Sequence, residues 1–190
     1  MTSHERAEHY DEAAQRRMLE VARRALEEGV RGRRSWTPDT SDDPPELLEP
    51  RGVFVTLHED GQLRGCVGSL TARGPLLREV ARAAQSAAFA DPRFPAVTAD
   101  EVPHLDIHIS ILSESVPLPV HSQAELLERL RPGIDGVTLR QGHHVGTFLP
   151  DVWASLPEPA QFLSALLRKA GLYEWSNAIE VERYTTFAFP

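Results

Sequence analysis

Apolar positions along the chain recur in two periods, and the alternation between those periods predicts the elements. Met18, Leu19, Ala22, Ala25 and Leu26 repeat at helical spacing with charges opposite them, so Tyr10 to Gly29 reads as an amphipathic helix. Gly29 and Gly32 are its expected stops. Residues 31–50 carry Pro38, Pro44, Pro45 and Pro50 among Asp and Ser, and read as a long loop too poor in apolar residues to pack much. Two apolar runs follow, Val53 to Leu57 and Leu63 to Leu70, joined by Glu59-Asp60-Gly61. The Asp-Gly pair makes this a β-hairpin. Pro75 to Ala90 is an alanine-rich helix packing through Leu76, Leu77, Val80, Ala84, Ala87 and Ala88. From Leu105 to Leu112 the alternation is strict, with Leu105, Ile107, Ile109 and Ile111 on one face and Asp106, His108 and Ser110 on the other. Gln123 to Leu130 reads as a helix, Gly136 to Arg140 and Val145 to Leu149 as a second hairpin around Gln141-Gly142, and Pro159 to Ala170 as a helix stopped by Gly171. Ile179 to Phe189 reads as one last strand. The hairpins require antiparallel pairing and the helices must cover a sheet face, which predicts an α+β fold.

Composition narrows the partners. The 190 residues are 41% hydrophobic and 25% charged, enough for a sizeable core, and the formal net charge is −8. An acidic chain is a poor general binder of phosphate backbones, and the one basic cluster, Arg31 to Arg34, reads as a solvated turn. The polar N-terminal stretch has no apolar leader segment, and no apolar run is long enough to span a bilayer. We expect a soluble cytoplasmic protein with no membrane contact. The only cysteine, Cys66, rules out an intrachain disulfide and multi-cysteine zinc sites.

That cysteine lies in LRGCVGSL, Leu63 to Leu70. On an extended strand Arg64, Cys66 and Gly68 share one face, and Leu63 and Val67 share the other, which would serve the core. Gly68 would leave the surface beside Cys66 uncovered, and Gly65 would permit close backbone approach. A guanidinium near a thiol favours the thiolate, the nucleophilic form. The plain alternative is a buried structural cysteine whose glycines mark a bulge. Three further groups carry potential chemistry. His104, Asp106 and His108 have ligand types suited to zinc or iron, or form the polar face of a strand. His143 and His144 at a hairpin tip offer a general base, or are idle turn residues. Asp91, Pro92, Arg93, Phe94 and Pro95 form a rigid loop that either binds an anionic or planar ligand or closes a helix end by a salt bridge. Nucleotide-binding glycine loops, a serine-hydrolase elbow and H-E-x-x-H are all absent, and no cofactor or metal is expected.

LRGCVGSL resembles the defining segment of the AMMECR domain family, usually written LRGCIG. The surroundings match in order: GVFVTL, DPRFPAVT, LDIHISILSES, GIDGVTL, TFLPDVW and FLSALLRKAGL, from about Arg51 to Phe189. Val67 replaces the usual isoleucine, and Ser69-Leu70 stands where Thr-Phe is common. The resemblance implies one domain over residues 1–190, with an N-terminal helix and loop to residue 50 and the motif-bearing core from 51. It implies an antiparallel sheet flanked by helices, a smaller lobe and a cleft between them. The family's segment falls on Leu63, Arg64, Gly65, Cys66, Val67 and Gly68, and its second motif on Asp91 to Pro95. His104, His108 and His144 match no family motif, which weakens the metal and base readings. Prokaryotic members resemble component A of the AmmeMemoRadiSam system, which implies Memo-like and radical SAM partners. Cys66 is then the candidate catalytic group. Arg64, Gly65, Gly68, Asp91, Arg93 and Phe94 are the candidates for binding a small molecule or modified peptide. The alternative is a non-catalytic adapter in which Cys66 is structural.

Overall fold

Leu105–Leu112 alternates in the structure as it does in the sequence: Leu105, Ile107, Ile109 and Ile111 are buried, while Asp106 and His108 are exposed. This strand, β3, belongs to a computed structural model that describes residues 10–190. Residues 1–9, which hold the first half of the stretch read as free of an apolar leader, lie outside the described residues. The elements are α1 (Glu12–Val30), β1 (Val53–Glu59), β2 (Gln62–Ser69), α2 (Leu76–Phe89), β3, β4 (Val116–Pro117), α3 (Gln123–Arg129), β5 (Gly136–Gln141), β6 (His144–Phe148), α4 (Pro159–Lys169), β7 (Glu180–Tyr184) and β8 (Thr186–Phe189). Among the described residues, two antiparallel sheets with four α-helices make the α+β fold expected from the pattern.

The chain divides into two units. One runs to Leu112 and takes in Phe187–Pro190. Its sheet has the order β2-β1-β3-β8. Helices α1 and α2 pack on each other and on the face that carries Val55, Leu57, Ile107 and Ile109. Met18, Leu26, Leu57 and Ile109 are fully buried there. Each such side chain contributes about 1.5–3 kcal/mol of burial. Asp11 caps α1 by accepting from the Ala14 N–H at 2.8 Å. Gly29 lies inside α1 and does not stop it: a Cβ there would sit 2.1 Å from the Phe89 ring, so the glycine serves close packing. Residues 31–50 pack more than their composition predicts. Leu47 is 1% exposed, Trp36 packs against the core, and Arg17 forks onto Asp43 at 2.7 and 3.0 Å. A few apolar side chains at the right places anchor a long loop without any local periodicity.

The other unit is Ser113–Thr186, with sheet order β4-β7-β5-β6. Its core joins Leu126, Val137, Leu139, Trp153, Phe162 and Leu166, with the Trp153 and Phe162 rings stacked at 3.7 Å. Ser122 caps α3. The final apolar run, read as one strand, is two: β7 belongs to this sheet and β8 to the other, with the break at Thr185.

Candidate functional site

The first hairpin turns through Asp60 and Gly61, at φ 49° and 75°, the left-handed conformations that a two-residue turn requires. A two-residue turn alone would set Cys66 opposite Val55, facing the core. Instead the register slips between Leu57 and His58, so that Leu57 faces Gly65 while His58 faces Leu63 and Arg64 is the extra residue. The slip moves every side chain beyond it to the other face. Cys66 therefore lies opposite Thr56, on the face that neither α1 nor α2 covers, and Val67 packs against the core. Leu63 does not serve the core as its spacing suggested: it is 39% exposed, because the bulge pairs it with outward-facing His58.

The two glycines of the segment admit protein. A Cβ on Gly65 would stand 2.2 Å from the Ala87 carbonyl oxygen of α2. A Cβ on Gly68 would meet the Val53 carbonyl at 2.3 Å and the Phe54 ring at 2.4 Å. So the surface beside Cys66 is not left uncovered at Gly68: the ring of Phe54 lies over it. Gly65 does permit close backbone approach, and what approaches is a helix.

Strand β2 is an edge strand, and its open side is capped by the Asp91-Pro92-Arg93 loop. Asp91 accepts from the Cys66 N–H at 2.9 Å, and Arg93 donates to the Cys66 carbonyl at 3.4 Å. Arg93 also forks onto Asp91 at 2.9 and 2.7 Å and lies over the Phe94 ring at 5.4 Å. Those bonds, the Arg93 side chain first and the Cys66 N–H with it, hold the buried Asp91 carboxyl well below the usual carboxylate range. Two side chains thus do for the backbone of Cys66 what a neighbouring strand would do.

Arg64 is committed as well. It forks onto Glu101 at 2.8 and 3.2 Å and donates to the Pro95 carbonyl at 2.8 Å, leaving its side chain 11% exposed. Glu101 also accepts from the Thr98 N–H, and its carboxyl is held down to about 2, mainly by Arg64. The Cys66 sulfur accepts from the Thr56 hydroxyl at 3.2 Å. Thr56 and Glu101 escaped the sequence reading. Glu101 stands 37 residues from Arg64 and has no local signal. Thr56 is visible only once the bulge is known.

Beside this row, His108 lies opposite Thr56 on β3 and its ring meets His58 edge-on at 5.1 Å. His104 falls in a 3-10 turn before β3, so it does not share the strand face with Asp106 and His108. Among the described residues, no group of three or more His, Cys, Asp or Glu is placed to hold a metal ion. His144 Nδ1 lies 3.2 Å from the Ala170 carbonyl at the end of α4. The basic cluster is bound too. Arg31 and Arg33 join Arg24 around Glu28, which is 1% exposed, and Arg34 lies over Phe89.

The chain is thus an α+β protein whose glycine-bearing edge strand carries its one cysteine and is capped by an Asp-Pro-Arg loop. The chain belongs to the AMMECR1 family, whose sequence model matches residues 19–189 and so runs through both units. A protein of Methanothermobacter thermautotrophicus is 39% identical over 159 residues, covering 83% of this chain and 82% of its own. One from Thermotoga maritima is 40% identical over 165 residues, covering 85% and 90%. The crystal structure of uncharacterized protein PH0010 from Pyrococcus horikoshii superposes with a TM-score of 0.79 at 31% identity, covering 90% of this chain and 88% of that one. Among the described residues no helix is long and apolar enough to cross a membrane.

Proposed function

We propose that this chain is a cytoplasmic enzyme, or a component of one, that acts on a small molecule or modified peptide together with Memo-like and radical SAM proteins. Cys66 is its reacting group. The observation that carries the reading is the setting of the sulfur. It lies on the sheet face left bare by α1 and α2, and it accepts from Thr56 at 3.2 Å. Its backbone is pinned at both ends by Asp91 and Arg93. A reacting atom benefits from such fixed placement. In this reading Arg93, 54% exposed with no partner for Nη1 among the described residues, meets an anionic group of the ligand. Arg64, spent on Glu101 and Pro95, positions residues 95–101. The test is the rate at which iodoacetamide alkylates Cys66, the only thiol, in native and in denatured protein. Faster labelling of the native chain, slowed by Thr56→Val, is expected. Labelling only in denaturant would end the catalytic reading.

A second reading is a non-catalytic adapter with a structural Cys66. What favours it is that Gly65, Gly68 and Arg64 are all used in packing or ion pairing. Stable co-purification with a Memo-like or radical SAM protein, unchanged by Cys66→Ala, would select this reading over the first.

A further inference from the structure

Where α2 passes the end of β2, the structure leaves a cavity of about 210 Å³ whose lining includes Val67, Gly68, Arg73, Glu79, Arg82 and Ser86. We propose that it is a binding site for a small organic oxyanion, a carboxylate or phosphate ester with a compact apolar body.

The charges decide the sign of the ligand. Glu79 is 4% exposed and fully engaged: Arg82 forks onto it with both contacts at 2.8 Å, and it accepts from the Arg73 N–H at 3.0 Å. It therefore neutralises Arg82 and fixes it in the wall. The Arg73 guanidinium makes no hydrogen bond or ion pair among the described residues, so the lining keeps one uncompensated positive charge in a chain of formal charge −8. Arg82 spends one N–H of each terminal nitrogen on Glu79, and its other donors have no partner among the described residues. Two further donors belong to residues of the lining. The Ser86 hydroxyl has no partner among the described residues. The Gly68 amide shares the outward orientation of the Cys66 amide, because residues two apart on an edge strand point their N–H groups the same way. Unlike the Cys66 amide, it has no capping side chain among the described residues. Arginine with backbone and hydroxyl donors is the set that grips carboxylate and phosphate oxygens.

The remaining walls set size and shape. Val53, Val67 and Ala83 offer apolar contact. The volume corresponds to about seven waters at ~30 Å³ each. That room suits a ligand with a short aliphatic body.

Inorganic phosphate and pentanoate are the probes, each titrated into the full chain with the Gly68 and Ser69 amides and the Arg73 and Arg82 Nε–H groups followed by NMR. Saturable shifts at these groups are expected with at least one probe. Tighter phosphate marks a phosphate-bearing ligand, and tighter pentanoate marks a carboxylate. Arg73→Gln should weaken binding about tenfold without lowering Tm, since its guanidinium bonds nothing among the described residues. Cys66→Ser should bind like the parent, which separates this proposal from the reactivity of the thiol. Non-saturating shifts with both probes, or affinity indifferent to Arg73→Gln, would overturn it.

Discussion

Replacing Gly65 by alanine tests whether the defining segment is shaped by packing. The added Cβ would stand 2.2 Å from the Ala87 carbonyl oxygen and 3.0 Å from its carbon, where ordinary contact begins at 3.4 Å. The obstacle is the backbone of α2, so no side chain can swing away. Helix or strand must move by about 1.2 Å (3.4 less 2.2), and overpacking of this kind costs about 1–3 kcal/mol. Alanine also restricts the unfolded chain, which offsets about 0.4–1 kcal/mol. The net expectation is a loss of about 1–2 kcal/mol, on the order of 5 °C in Tm for a chain of this size. The assay is urea unfolding, with the midpoint compared at constant m value. Gly74→Ala is the control, because its nearest atom, Glu79 Oε1, would lie at 3.8 Å and its φ is not positive. It should be neutral or slightly stabilising. A Gly65→Ala chain as stable as the parent would refute the steric argument. If that stable variant also lost Cys66 reactivity, the glycine would be reserved for a ligand.

Two further outcomes follow from the ion pairs. Glu101 has its carboxyl lowered from 4.5 to about 2, so the stability it contributes is complete above about pH 5 and is lost as the pH falls toward 2. Glu101→Gln should cost about 1–2 kcal/mol near neutrality, after allowing for solvent screening, and the difference from the parent in urea midpoint should vanish near pH 2. An equal difference at both pH values would show that the Arg64 pair is not its source. Asp91→Asn weakens the acceptor that caps the Cys66 N–H, and amide exchange at Cys66 should quicken by about tenfold. Unchanged exchange there would mean that the edge is protected by something other than this carboxylate.

The sequence by itself settled the elements whose signal is local. Strict alternation placed β3 at Leu105–Leu112 to the residue, and the Asp60-Gly61 pair placed the first hairpin. The helical periods gave α1, α2 and α4 to within a residue or two at each end. LRGCVGSL and DPRFP identified the family before any geometry was known. What only the tertiary structure decided depends on residues distant in sequence. The bulge at Arg64 leaves no mark in composition, yet it sets Cys66 opposite Thr56 and exposes Leu63. Gly65 reads alike whether it clears a path for a ligand or for a helix, and only the position of Ala87 distinguishes the two. The run from Ile179 to Phe189 has one apolar pattern but serves two sheets, because strand pairing is chosen by partners rather than by the strand's own residues. Arg64 and Glu101 meet across 37 residues. Periodicity reports which face a side chain prefers, whereas the partner that awaits it there is fixed by how distant segments pack.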